Sequence, residues 1–278
     1  MSRLLTLAFV VWTATHPAAQ IQYETGQNVA PVFEGWLREA DGTIVMWFGY
    51  LNRNHEEEVD IPIGRDNTME PGDDRDQPTH FYPRRQLFVF KVTLPKDWDR
   101  NKRVTWTLTS HGRTDVANGW LQPEWELSPQ VITFNRTQQI PQDDNQPPTI
   151  SVDPATKAIA KSNRLVLTVS ATDDGVPIPK KKREAPATTD PAANPDGLFG
   201  YAQEPGLRIK WIQYRGPGKV LFDPDQTPPV YGQRVTLKTT ANFSVPGMYV
   251  LRAIVSDGEL ESTRDVTVDA RGLARVEK

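Results

Sequence analysis

The chain has 278 residues, of which 37% are hydrophobic and 24% charged, with a formal net charge of −3. That composition excludes a disordered chain, and the mixed, near-neutral charge lacks the basic face that a nucleic-acid binder needs to neutralise phosphates. The chain has no cysteine, which excludes disulfides, thiolate-held zinc and thiol catalysis.

The first element is a leader. Arg3 precedes an apolar run over residues 4–15, and "HPAAQ" follows at 16–20. The run is shorter than the ~20 residues a spanning helix requires. Residues 1–20 read as a signal peptide or a retained anchor, so the remainder is expected outside the cytoplasm. The location is then periplasmic or extracellular, and membrane-associated if the leader stays.

Twenty-four prolines, 18 glycines and the lack of long helical periodicity predict an all-β chain of short strands. A first sandwich is predicted over 29–134. Residues 32–38 and 43–51 read as a hairpin about the "ADG" turn at 40–42. Residues 57–63 read as an edge strand carrying Pro62, and 64–85 as a long polar loop. In 87–94, Phe88, Phe90, Val92 and Leu94 are expected on one face. In 103–110, Val104, Trp106 and Leu108 alternate with Thr105, Thr107 and Thr109, the clearest period of two in the chain. Residues 116–122 and 131–134 ("VITF") complete about seven strands, the number of an immunoglobulin-like sandwich.

Residues 135–148 read as a polar linker. A second sandwich is predicted over 149–272, with strands at 149–152, 164–171, 207–214, 235–244, 247–256 and 262–270. Residues 176–206 interrupt it as an insertion with the basic run Lys180, Lys181, Lys182 and Arg183. Compact domains rarely carry loops this long. Two readings stand: a solvated loop, or an arm that docks on a partner through those cations with Leu198, Phe199 and Tyr201 as anchors.

The sequence has no G-x-S-x-G, Walker loop, G-x-G-x-x-G or H-E-x-x-H. No enzyme is expected. His55, His80 and His111 each border a predicted loop, and a shared metal site competes with the simpler reading of separate loop histidines. Glu124 and Glu126 lie two apart without an architecture for a glycosidase pair. Trp98, Trp120 and Trp125 lie near turns, where an exposed set would stack on sugar rings; packing in the core is the alternative. In a seven-strand antiparallel sandwich the linker, the turn after the second strand and the turn after the sixth meet at one end. Asp143, Asp144, Asn145, Asp173, Asp174 and Asp257 are therefore expected near the joint, as a calcium site or as ordinary turn residues. Calcium is the one cofactor this reading admits.

Several stretches resemble known families. The segment 246–268, with a Pro-Gly turn, a Tyr-bearing strand, "SDG" and a final strand, resembles the last hairpin of polycystic-kidney-disease and other immunoglobulin-like modules. That resemblance implies a fold and no activity. Residues 143–148 resemble the N-D-N-x-P-P part of the cadherin interdomain linker, which implies calcium. Pro141 stands in place of its first Asp, Asp143 replaces an Asn, and the L-D-R-E motif of the preceding domain is missing. "FGYLNRN" (48–54), "PTHFYPRR" (78–85), "WTLTSHG" (106–112) and "LQPEW" (121–125) resemble a family of secreted proteins of environmental bacteria with no assigned activity. Arg84 and Arg85 are the expected binding pair there, because a planar guanidinium pairs with carboxylates and stacks on rings. The whole is similar to extracytoplasmic accessory subunits of bacterial energy-transducing complexes, including photosynthetic reaction-centre–antenna assemblies. The expected function is a non-catalytic interaction or scaffold subunit on the periplasmic face of such a membrane complex. Its partners are then other subunits of an envelope complex, or a membrane surface. The alternative is a secreted carbohydrate-binding or calcium-dependent adhesive module.

Overall fold

Val29–Arg38 (β1) and Ile44–Asn52 (β2) form the expected hairpin, closed by a turn in which Gly42 takes φ +90°. A computed structural model of the chain describes residues 23–137, 139–154, 157–160, 162–178 and 206–272. The leader and the cluster Lys180, Lys181, Lys182, Arg183, Leu198, Phe199 and Tyr201 lie outside the described residues. Arg84–Leu94 (β6) extends the β1–β2 sheet. A second sheet joins Asn67–Glu70 (β4), Val104–Ser110 (β7) and Arg113–Gly119 (β8), and Val59–Asp60 (β3) pairs with His80–Phe81 (β5). The alternation predicted for β7 holds: Val104, Trp106 and Leu108 are buried and their threonine neighbours half-buried. One apolar core, centred on Phe48, Phe81, Phe90 and Trp106, fills this half.

Two segments depart from expectation. Residues 131–134 are helical, within Pro129–Thr137 (α1). Ser128 Oγ accepts the Val131 N–H at 3.3 Å and Pro129 opens the helix, so start signals outweigh the β propensity of Val-Ile-Thr. The polar stretch 64–85 holds β4, β5 and the start of β6. Asn67 makes this possible although it is buried. Its amide donates to the Ile61 and Pro78 carbonyls (2.9 and 2.8 Å) and accepts from Trp106 Nε1 (3.0 Å).

β6 carries a bulge. Phe48 opposes Phe90 and Tyr50 opposes Gln86, so Leu87, Phe88 and Val89 stand against Gly49 alone. Phe88 takes φ +48° there and leaves the face of Phe90, Val92 and Leu94, contrary to the simple alternation. It joins Leu37, Val45 and Ile132 in a separate cluster under α1. Gly49 is required because a Cβ would sit 2.1 Å from Glu34 Oε1 and 2.3 Å from the Gln86 carbonyl.

The C-terminal half is a β-sandwich. One sheet runs Val220–Asp223 (β13), Val235–Phe243 (β14), Arg164–Thr172 (β11), Thr149–Asp153 (β9). The other runs Lys157–Ile159 (β10), Glu261–Asp269 (β16), Met248–Ser256 (β15), Arg208–Arg215 (β12). Six of these strands match the predicted ones. The short β10 and β13 were not expected, being too brief to show a period. Leu167, Val169, Trp211, Tyr249, Leu251 and Val268 are among the side chains of its core. Tyr249 donates its hydroxyl to the Val245 carbonyl at 2.6 Å, the corner bond of immunoglobulin-like sandwiches. Among the described residues no helix is long and apolar enough to cross a membrane.

Candidate functional site

Tyr214 lies on β12, in the C-terminal half, yet it is buried in the N-terminal core. The polar stretch between β4 and β6 folds over the end of β12 and clasps it. The Thr79 N–H donates to the Tyr214 carbonyl (3.2 Å), the Gly216 N–H to Thr79 Oγ1 (3.1 Å), and the Gln213 N–H to Tyr82 Oη (2.8 Å). Arg215 donates to the Gln77 carbonyl (2.8 Å) and forks onto both Asp74 oxygens (2.8 and 3.0 Å). That guanidinium holds the Asp74 carboxyl below its ordinary value. Tyr214 Oη donates to the Asp76 carbonyl. Burial raises the phenols of Tyr50, Tyr82 and Tyr214, which stay neutral donors and acceptors.

Arg252, in the middle of β15, lies 3.7 Å over the Tyr214 ring. It pairs bidentately with Asp265 (2.7 and 2.8 Å) and donates to the Val89 carbonyl at 3.2 Å. Val89 belongs to the β6 bulge, so the bulge supplies the acceptor that ties the halves at this point. Arg85 Nη2 donates to both Glu34 oxygens at 2.7 Å, and its Nη1 donates to the Tyr50 and Gln86 carbonyls. Arg85 is thus occupied in holding the bulge. Arg84 sits at φ +65° opposite Asn52, at the start of the same strand.

Between the halves, beside this seam, lies a groove of about 420 Å³. Trp47, Phe88 and Tyr214 give it aromatic walls, and Lys91, Arg136 and Arg252 give it cations. Arg252 is paired with Asp265 and Arg136 with Glu261. The Lys91 ammonium stands 5.9 Å over the Trp47 ring. Asp76, Arg215 and Asp265 also line it, so charged groups and aromatic faces alternate around the groove.

At the opposite end of the C-terminal sandwich the linker meets two turns, as the strand directions require. Glu259 Oε2 accepts the Gln142 N–H and Asn145 Nδ2, both at 2.9 Å. Asp174 accepts the Gln146 and Val176 N–H groups at 3.0 and 2.9 Å. Asp257 Oδ1 accepts the N–H groups of Glu259 (2.6 Å) and Leu260 (2.7 Å), and Asp173 Oδ2 that of Gly175 (3.0 Å). Asn145, Asp173, Asp174 and Asp257 therefore gather at the joint, while Asp143 and Asp144 lie exposed on the linker turn. Burial pushes the Asp257 carboxyl up to about 6 against the two backbone N–H groups and the Asn145 amide that lower it, and the nearby Asp173 charge adds to the rise. Burial raises Asp173 as well, and Asp174 reinforces it.

The histidines do not share a site. His80 Nδ1 bonds Asp60 at 2.7 Å with Glu58 3.6 Å from Nε2, whereas His111 faces Glu57 at 3.3 Å. His55 is half-buried near the N-terminal lead-in, its N–H donating to the Tyr23 carbonyl. No group of three His, Asp or Glu side chains able to hold a metal occurs among the described residues. Trp98 packs on the N-terminal core with Lys102 above it, Arg103 covers Trp120, and Trp125 leans on Phe33 at 5.6 Å with 43% of its surface exposed. Glu124 and Glu126 are exposed on either side of Trp125.

Little in the local sequence marks Asp74, Tyr82, Tyr214, Arg215 and Arg252 as members of one site. One signal for them was present. An arginine inside the apolar run "MYVLRAIV" has to be paired, because charged side chains are seldom buried alone.

No protein-family model and no curated protein sequence matches the chain. Solved structures align over much of its length at low similarity. A protein of unknown function from Porphyromonas gingivalis W83 aligns at 8% identity, over 87% of this chain and 98% of that one, with a TM-score of 0.25. The D0–D1 domain of intimin aligns at 11% identity, over 86% and 97%, also with a TM-score of 0.25. Domains 4 and 5 of the S-layer protein SbsC align at 12% identity, over 60% and 65%, with a TM-score of 0.21. At these scores none transfers a residue role.

Proposed function

We propose that this chain is a non-catalytic, exported interaction subunit that presents the inter-half groove to a segment of a partner protein. The observation behind this reading is the groove itself: about 420 Å³ with aromatic walls and Lys91, Arg136 and Arg252 in its lining, beside a seam of paired guanidiniums and buried tyrosines. A rigid seam favours binding, because little order has to be imposed when the partner arrives. The leader predicted over residues 1–20 and the absence of catalytic sequence motifs fit an accessory subunit on the outer face of a membrane-bound complex, of which a photosynthetic assembly is one candidate.

The test is site-specific photocrosslinking in membranes of the source organism. A photoreactive residue at Lys91 or Thr93, both lining the groove, should give one discrete adduct, and one at Asp99, away from it, should not. Equal labelling from all three positions, or migration of the solubilised protein as a free monomer in native gels, overturns the proposal.

A further inference from the structure

Three oxygens at the joint are buried without a hydrogen-bond partner: Asn145 Oδ1, Asp173 Oδ1 and Asp257 Oδ2. Buried acceptors are almost always satisfied, so three in one place require an account. The bonds made by their other atoms set how these side chains lie, and the Asn145 amide also bears on the Asp257 carboxyl. Asp257 is held by two backbone N–H groups through its other oxygen, Asp173 by one, and Asn145 by its amide bond to Glu259. Asp257 is 1% exposed and Asn145 7%. Asp173 and Asp257 line one cavity of about 20 Å³ with Gly206, Leu207 and Val230, and Asn145 approaches it through Asp257. The charges that bear on these two acids are those of other carboxylates, Asp173 on Asp257 and Asp174 on Asp173.

We infer that Asp173, Asp257 and Asn145 bind a calcium ion that locks the linker to the two turns of the C-terminal sandwich. The cavity has the volume of one water or one ion. A water satisfies the three acceptors only in part and leaves the buried Asp257 and the half-buried Asp173 without a counter-charge, whereas a divalent cation answers both needs. The donors are all hard oxygens, which favours calcium over zinc. Two carboxylates and one amide fall short of a three-acid set, so backbone carbonyls and water complete the shell. The expected affinity is the 10⁻⁴–10⁻³ M range of extracellular modules. The inference is independent of the groove.

The experiment uses the full chain, stripped with chelator and titrated with calcium chloride or magnesium chloride during thermal melting. Saturating calcium raises the midpoint by about 5 °C and magnesium does so much less. Asp257→Asn and Asp173→Asn, which keep the oxygen that accepts backbone N–H groups, each weaken the calcium response tenfold or more. Asp143→Asn and Asp144→Asn leave it unchanged. If Asp257→Asn does not fold, Asp173→Asn alone decides. A wild-type midpoint indifferent to 10 mM calcium overturns the inference, as does a response that survives in both Asp173→Asn and Asp257→Asn. Loss of response only in the Asp143 and Asp144 variants places the ion elsewhere and also overturns it. A metal-indifferent Asp257→Asn protein that melts above an equally indifferent wild type shows a protonated carboxyl or a water instead.

Discussion

Replacing Tyr214 by alanine should uncouple the two halves. The side chain is 4% exposed in a core built otherwise from the N-terminal half. It supports Arg252 at 3.7 Å and donates to the Asp76 carbonyl. Removing a buried aromatic ring costs about 3–5 kcal/mol. The lost hydroxyl bond adds about 1 kcal/mol and the lost cation–π contact about 1 kcal/mol, with overlap among the three. A total of about 4 kcal/mol lowers the melting temperature by roughly 10 °C in a protein of this size. Tyr214→Phe isolates the hydroxyl and should cost about 1 kcal/mol. Differential scanning calorimetry is the assay, with tryptophan fluorescence as a second probe. For the wild type one cooperative transition is expected, and for Tyr214→Ala two, the N-terminal half melting first because its core has lost a member. A Tyr214→Ala protein that melts within 3 °C of wild type in a single transition would falsify the view that the seam couples the halves.

Arg85→Ala leaves Glu34 buried without its counter-charge and should cost about 3 kcal/mol in urea unfolding, with partial recovery on adding Glu34→Gln. Wild-type stability combined with lost partner capture would instead make Arg85 a binding residue. Asn67→Ala strands the Trp106 indole N–H and two buried carbonyls, and a loss of about 3 kcal/mol in the same assay is expected. The pH dependence of the seam follows from Asp74. Arg215 holds its folded-state carboxyl below the unfolded value, so the stabilisation is present above about pH 4 and disappears as pH falls through the lower, folded value. Asp74 is half exposed, so the effect stays below about 1 kcal/mol. Melting curves from pH 2 to 5 should show it in wild type and not in Asp74→Asn.

The strands were legible where one face of each is buried and the other wet. β7 shows this best: its threonines alternate with Val104, Trp106 and Leu108, and only one register hides the apolar set. The strand directions of the C-terminal sandwich likewise place Asn145, Asp173, Asp174 and Asp257, four of the six residues expected there, at one end. What failed was local inference applied to segments governed by distant partners. Residues 64–85 are polar and read as a loop, but their polarity is spent on bonds across the seam, and those partners lie more than 130 positions away. Phe88 follows the alternation of its strand in sequence and departs from it in space, because Gly49 admits a bulge that turns it toward α1. Arg85 looks from sequence like a free fork; only the position of Glu34, 51 residues earlier, shows that it is taken.

Sequence alone therefore determined the β class and most of the strands. These follow from a period of two, from turn residues and from antiparallel direction, all of which act between neighbours along the chain. Tertiary structure alone decided that the two halves share Tyr214, that a groove opens beside it, and which joint oxygens remain without partners. Each of those depends on side chains from separate elements meeting at hydrogen-bond distance, and no local pattern records such a meeting.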